Sequence, residues 1–430
     1  MNQALSKELK PTKNITVSHG GCGSEEGLIS VDQALQMLLD HTQSLDIETL
    51  TLDQTLNRYL AKAVYSKINL PLFSQSAVDG YAICAAPATL GMGTSFELIG
   101  EIRAGQNLEI QLQQGQAIRI FTGAKIPANT STVARQEIVQ LLDNGETRKI
   151  VLTEPLQSHA DIRDVGEEVA CGQLLADLGQ KLSVGAIATL SMAGVKNIEV
   201  FKYPKIAVVI TGDEVSENVE DLASGKIFDA NAPLIQAWFQ SRSQEVDIMH
   251  VADTEQAVTA LLNRLKNEYD LILTTGGVSV GDYDFVRPVT LKLGFEQIFW
   301  KVKQKPGKPM LFADLLRQDG SHCYLLGLPG NPAAVYAGMQ IYTATLVKVL
   351  QGQKKLPEWF SGTIQHELKA DTRERFLRMT VQFNDGQLLL NSLSKQQSHM
   401  LSNLMHANCL VRVPAGEKMV VGTKLQGLFI

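Results

Sequence analysis

Between residues 205 and 350, four apolar runs of strand length, KIAVVI, EVDIMHV, DLILTT and CYLLGL, alternate with helical text. The helices start at Asn231, run through TEQAVTALLNRL, follow Asp284 and open at Pro332. Mostly apolar strands separated by amphipathic helices bury both faces of a parallel sheet, which predicts a doubly wound α/β domain over 205–352. A chain of 430 residues has room for about two further domains at roughly 150 residues each.

The flanking text has other periods. Ser30 and Gln33 form a capping box, and Val31, Ala34, Leu35, Leu38 and Leu39 then share one helical face. Residues 71–152 hold short extended stretches (FELIGEI, AIRIFTG, EIVQLLD, RKIVL) with Asn144-Gly145 as a two-residue hairpin signal, predicting an inserted β-rich domain. Residues 28–70 and 153–204 then make a mixed α/β linking domain on either side of it, with the first helix packed against the second segment. After Leu356, the alternation of FLRMTVQF, the Asp385-Gly386 turn and the segments around PAGE predict a small C-terminal β-barrel over 353–430. Residues 1–27 are polar and read as a disordered tail, with Cys22 and His19 too few to ligate a metal. The expectation is a multidomain α/β protein.

Composition narrows the partners. Thirty-nine Lys and Arg against 45 Asp and Glu leave a net charge of −6, which gives no overall attraction for nucleic acid. Five scattered cysteines without a Cys-x-x-Cys pair suggest neither a disulfide framework nor a thiolate zinc site. The N-terminal residues lack the apolar core of a signal peptide, and no run reaches the ~18 apolar residues of a membrane span. The expected setting is the cytoplasm, away from membranes.

In a doubly wound sheet, ligands bind beyond the carboxyl ends of the strands. Three loops lie there: Thr211-Gly212-Asp213-Glu214 after KIAVVI, TTGGVSVGDYD after DLIL, and LPGNP after CYLLG. In the second, Gly276, Gly277 and Gly281 permit positive φ and a phosphate cradle of amides with Ser279, or serve only a tight strand-to-helix turn. Gly276 to Gly281 has the spacing of a P-loop, but Asp282 stands where that motif needs Lys, so the loop is not a Walker A. Asp282 and Asp284 instead suit a bridging Mg²⁺, or form a solvated acidic loop. LPGNP, with Pro329, Gly330, Asn331 and Pro332, is good helix-start chemistry. KPGKP places Lys305 and Lys308 on a proline-stiffened loop, either an anion holder or a basic turn. In the β-rich domain, Asp79-Gly80 and Thr122 with Lys125 mark two more loops. Taken together, Asp213, Glu214, Asp253, Asp282 and Asp284 around a glycine-rich, lysine-supplemented edge suggest a metal-assisted site for a phosphorylated ligand.

The segments PLFSQSAVDGYA, IRAG, IRIFTGAKIP, DIRDVGEE, VVITGDE, GKIFDAN, TTGGVSVGDYDF, KPGKP and LPGNP, in this order and spacing, resemble the MoeA type of molybdopterin molybdenumtransferase. That family is shared with the plant E-type domain and the C-terminal part of gephyrin. The resemblance runs from about Leu28 to the C-terminus. It implies a homodimer with a cleft between the α/β domain of one subunit and the β domain of the other. It also implies adenylylated molybdopterin and molybdate as substrates, Mg²⁺ as cofactor and AMP as product. A molybdopterin adenylyltransferase is the implied upstream partner, and molybdoenzyme-specific chaperones the downstream ones.

Carried over by position, the resemblance implies roles for Asp79, Thr122 and Arg163, for Glu214, Asp253 and Asp284, for Lys305 and Lys308, and for Pro329 and Pro332. Glu214 and Asp284 are the implied Mg²⁺ ligands. Glu168 stands where the family often has Asp, a carboxylate displaced by about one methylene. ANTSTVARQE is more polar than the usual form of its segment, with Glu137 in place. Two alternatives stay open. A molybdopterin adenylyltransferase shares GGVSVGD and LPGNP, and would consume ATP with free molybdopterin. A gephyrin-like scaffold would anchor receptors, although no second enzyme domain or long linker stands in this sequence.

Overall fold

The structure is a computed structural model that describes residues 27–107, 109–216, 219–279, 281 and 284–430. The tail as far as residue 26, with His19 and Cys22, and Asp282 of the glycine-rich loop fall outside the described residues. The chain forms two compact units, one built from residues up to 43 with 204–349 and 354–430, the other from 44–203 with 350–353.

In the first unit, helix α1 (Val31–His41) starts at the predicted box: the Ser30 Oγ accepts from the Gln33 N–H, and the Gln33 side chain accepts from the Ser30 N–H. Its buried face is Val31, Ala34, Leu35, Leu38 and Leu39. The sequence reading grouped this helix with the linking segments; the structure puts it in the unit of the α/β sheet. Ile29 bridges to Val302, and Asp32 receives a bidentate pair from Arg412 at 2.8 and 2.9 Å. Helical periodicity identifies an apolar face but not the surface that covers it.

The sheet has six strands: β1 (Ile206–Thr211), β2 (Asp247–Val251), β3 (Leu271–Thr275), β4 (Glu296–Trp300), β5 (Leu311–Leu316) and β6 (His322–Leu328). Their order is β2-β1-β3-β6-β5-β4. The first four in that order are parallel, and β5 and β4 add an antiparallel edge. β1 and β3 are buried at every residue, as strands covered on both faces must be. Helices α2 (Asn231–Gln240), α3 (Glu255–Glu268), α4 (Val286–Lys292) and α5 (Pro332–Gly338) lie between and after the strands. Strands β4 and β5 were not expected from the sequence. They bracket KPGKP, so that loop is mounted on a sheet edge. α5 runs on to Leu350, and among the described residues Pro332–Leu350 is the stretch long and apolar enough to cross a membrane. Most of it is buried inside the protein.

The C-terminal segment forms strands β7 (Phe360–Ile364), β8 (Glu374–Asn384), β9 (Gln387–Ser392), β10 (Cys409–Val413) and β11 (Lys424–Phe429). Their pairing closes as β8-β9-β7-β11-β10-β8, a five-stranded barrel. Asp385 and Gly386, at φ 45° and 77°, make the predicted two-residue turn between paired Asn384 and Gln387. Gln304 and Lys305 add a short parallel rung beside Glu374 and Arg375, tying KPGKP to the barrel.

In the second unit, a six-stranded sheet orders Thr132–Arg135, Gly80–Ile83, Gln116–Ile120, Ser95–Ile102, Arg148–Leu152 and Val139–Asp143. The expected two-residue turn at Asn144-Gly145 is wider. Asp143 pairs with Arg148, and the Asn144 side chain closes the loop by accepting from the N–H groups of Glu146 and Thr147. Ile47–Thr51 pairs with Asn197–Phe201, and Val64–Tyr65 with Leu174–Ala176, so segments before and after this sheet are stitched to each other.

Candidate functional site

The carboxyl edge of the parallel sheet meets the barrel around a cavity of about 710 Å³. Gly276, Gly277, Ser279 and Asp284 line it from the loop after β3. Gly276 and Gly277 have φ of +86° and +65°, and a Cβ on Gly277 would stand 2.6 Å from a Val286 methyl, so no other residue turns the chain here without strain. Trp300 pins the same loop by donating its indole N–H to the Val278 carbonyl at 2.8 Å. Gly281 donates its N–H to Asp284 Oδ2 at 2.8 Å, which orients that carboxylate.

Lys305 and Lys308 line the second wall, Pro329, Gly330 and Asn331 the third. Pro332 opens α5 behind them, as its missing N–H allows. KPGKP is braced from beneath by buried Gln304, whose amide donates to the Gly307 carbonyl at 3.1 Å and accepts from the Tyr342 hydroxyl at 2.5 Å. Complete burial holds the Tyr342 hydroxyl well above the usual phenol range, so it stays a neutral donor.

The fourth wall is the barrel, which contributes Asp371, Arg373, Arg375 and Ser398. Lys305 donates to Asp371 at 2.9 Å, and that hydrogen bond holds the Asp371 carboxyl below its usual range. Arg373 donates to the Gln304 carbonyl at 3.2 Å. Arg375 donates to the Lys369 carbonyl and keeps a buried Nε with no partner among the described residues. Two lysines and two arginines against two carboxylates make a cationic pocket suited to an oxyanion. The two arginines escaped the sequence reading. Their signal is Arg-x-Arg across the start of a strand, Arg373 in the bend before it and Arg375 on its second residue, but no local pattern says that this end meets a sheet far away in sequence.

Glu214 and Asp253 lie on the same sheet edge, outside the lining of that cavity. There the N–H of Asp213 donates to the Asp253 carboxylate and the N–H of Asp253 to the Asp213 carboxylate, both at 3.3 Å. Burial, with the charges of Asp213 and Glu214 adding to it, raises the Asp253 carboxyl above 3.8. A raised carboxyl binds its proton more tightly when folded. That contribution to stability is therefore present at low pH and lost as pH rises through the shifted value. Asp253→Asn should thus raise Tm at pH 7 by about 1 °C, the small size reflecting solvent screening. The gain should vanish in thermal melts below about pH 3.8.

In the second unit, Asp79 Oδ1 accepts from both the N–H and the hydroxyl of Thr122, at 2.9 and 2.8 Å. These bonds, the backbone one first, hold the exposed Asp79 carboxyl below its usual range. Arg163 and Glu168 come together in another cavity, of about 550 Å³, with Leu72, Phe73 and Met192. Glu168 is anchored by its N–H to the Leu70 carbonyl at 3.0 Å.

Among the described residues, no three His, Cys, Asp or Glu side chains converge as a metal cage. Mg²⁺ needs none: it retains several waters and takes one or two carboxylates together with substrate phosphates. Asp284, on the glycine loop and bonded to the Gly281 N–H rather than paired with a lysine as Asp371 is, fits that use.

Comparison with known proteins covers nearly the whole chain. The family model of the MoeA N-terminal region (domain I and II) matches residues 29–194, that of a probable molybdopterin binding domain 207–348, and that of the MoeA C-terminal region (domain IV) 363–426. The molybdopterin molybdenumtransferase of Haemophilus influenzae is 32% identical over 407 residues, covering 92% of this chain and 98% of its own length. That of Staphylococcus aureus is 30% identical over 397 residues, covering 91% and 92%. Two crystal structures of the Pyrococcus horikoshii molybdopterin biosynthesis MoeA protein share the fold, with TM-scores of 0.74 and 0.77 at 24% identity. They cover 94% of this chain and 99% and 100% of theirs. With a sheet-edge cavity, a barrel wall and relatives that match from end to end, the chain belongs to the MoeA family of molybdopterin molybdenumtransferases, proteins of molybdenum cofactor biosynthesis.

Proposed function

We propose that the protein inserts molybdate into adenylylated molybdopterin with Mg²⁺ and releases AMP. The observation that carries this is the 710 Å³ cavity, in which Lys305, Lys308, Arg373 and Arg375 surround a single sheet-edge carboxylate, Asp284. The lysines and the amides after β3 hold the phosphate of the pterin. The arginines, on the adjoining barrel wall, suit a second anion, molybdate. Asp284 would hold Mg²⁺ from the cavity, and Glu214, on the same sheet edge outside the lining, would join it as a second ligand; the ion would supply charge neutralisation at the pyrophosphate oxygens. Cleavage adds water across the pyrophosphate, forming one P–O bond as another breaks, and AMP leaves; the two dithiolene thiols then replace one oxo group of molybdate, which departs with their protons as water, so the molybdenum keeps its oxidation state.

In this reading the protein works as a cytoplasmic homodimer. Asp79 and Thr122, exposed and already locked together, serve the pocket of the partner subunit. Arg163, Glu168 and Asp253 support the site from their own clusters. An upstream molybdopterin adenylyltransferase delivers the substrate, and molybdoenzyme-specific chaperones take the product.

The test is AMP release from adenylylated molybdopterin by the purified protein with Mg²⁺, with and without molybdate. Release that requires molybdate and yields molybdenum-loaded pterin is the expected result. Substrate that binds but stays intact would move the assignment to adenylyl transfer or scaffolding. No binding at all would leave the family likeness a likeness of fold.

A further inference from the structure

Asn231 stands outside the cavity lining, at the first turn of α2, and is 7% exposed. Its Nδ2 donates to the Gly330 carbonyl at 2.8 Å, across 99 residues of sequence. Its Oδ1 is buried with no partner among the described residues. A buried amide with one end unsatisfied costs stability, and the bond from its other end to Gly330 is what offsets that cost.

Gly330 and Asn331 share one trans peptide; the cis bonds lie elsewhere, at Leu70-Pro71 and Lys305-Pro306. In a trans peptide the C=O and the following N–H point opposite ways. Holding the Gly330 carbonyl against α2 therefore sends the Asn331 N–H away from α2, and both residues line the cavity. A glycine peptide is the kind most free to rotate, which is where an external anchor matters. The anchor is itself held. Asp229 Oδ1 accepts from the N–H groups of Asn231 and Ala232 at 2.8 and 3.2 Å, supplying the cap that Ala230 lacks. Asp229 Oδ2 pairs with His250 Nε2 at 2.9 Å.

We propose that Asn231 is a positioning residue, clamping the Gly330–Asn331 peptide so that the Asn331 N–H is presented to the anion in the cavity. This rests on the functional reading above and adds to it a residue that touches no substrate. The test compares full-length wild type with Asn231→Ala and Asn231→Asp; the second keeps the shape of Asn but has no donor when ionised. Substrate affinity is read by calorimetry with adenylylated molybdopterin and KM by AMP release, alongside hydrogen exchange of the segment around Gly330.

Both variants are expected to weaken Kd and raise KM about 10-fold, the weight of one hydrogen bond to a charged ligand, with kcat within about twofold. Exchange should quicken in that segment. Unchanged Kd and KM, or a fall in kcat alone as simple misfolding would produce, would overturn the clamp. If wild type itself ignores the substrate, the functional reading fails. Hydrogen exchange then decides the clamp alone: quickening confined to the Gly330 segment supports it, and unchanged exchange overturns it.

Discussion

Asp284→Ala is expected to lower molybdate-dependent AMP release by about 10³-fold while leaving substrate binding as tight as wild type or tighter. The two effects separate because of where the carboxylate sits. Around it are Lys305, Lys308, Arg373 and Arg375, so its removal makes the cavity more positive and favours an anionic ground state. On the proposed function, what disappears is the oxygen ligand that counters this field at the breaking bond, and such a loss falls on kcat. Asp284 also accepts from the Gly281 N–H, so alanine could act by loosening the loop. Asp284→Asn controls for that, since its amide oxygen still accepts while the charge is gone, and it should show the same loss. Near-normal kcat in the asparagine variant would mean that Asp284 orients a loop and nothing more.

The largest expected loss of stability comes from Gly80→Ala. A Cβ at Gly80 would lie 2.0 Å from the Ala134 carbonyl oxygen and 2.9 Å from its carbon. The Gly80 strand cannot step aside, and the edge strand Thr132–Arg135 is held by the Val133 N–H to the Ala160 carbonyl and by Arg135 to Asp161. Gly80–Ile83 is paired on one side with Gln116–Ile120 and on the other with Thr132–Arg135, and Gly80 itself opposes both Ile120 and Arg135. A methyl forced into a paired backbone is overpacking of the severe kind, costing about 4 kcal/mol or more. It would also displace Asp79, the neighbouring residue, from Thr122. Gly100→Ala is the control within the same sheet. Its Cβ would meet only an Ile118 methyl, at 3.9 Å, so alanine there should be neutral or stabilise by up to about 1 kcal/mol. Urea unfolding of both variants checks the difference, and similar midpoints would mean that the sheet yields at Gly80.

The parallel strands were legible because burial on both faces leaves a signature that no other element writes, as in IAVVIT and LILTT. Strands β4 and β5 carry a weaker one. EQIFW mixes exposed and buried positions, as an antiparallel edge does, and KPGKP beside it reads as loop. The loops after β1, β3 and β6 could be expected to converge because sheet topology brings strand ends together, yet the first of them, with Glu214, lies outside the cavity lining, and KPGKP enters it from an edge the sequence did not announce. The pairing of Asp79 with Thr122 and the meeting of Arg375 with Lys305 could not. Each is set by register across residues far apart in the chain, which local period does not encode. Helix α1 shows the same limit: its face was plain and its neighbour was not.

The short rung joining Gln304–Lys305 to Glu374–Arg375 bears on how such a chain can evolve. A lysine of one module and an arginine of the other are spaced by backbone hydrogen bonds, so drift in either module shifts the distance between two charges. Under the proposed function, anion preference is therefore inherited by the sheet and the barrel as a pair. A chimera that exchanged the barrel alone would keep both lysines and the glycine loop, yet would reset which oxyanion fits between them.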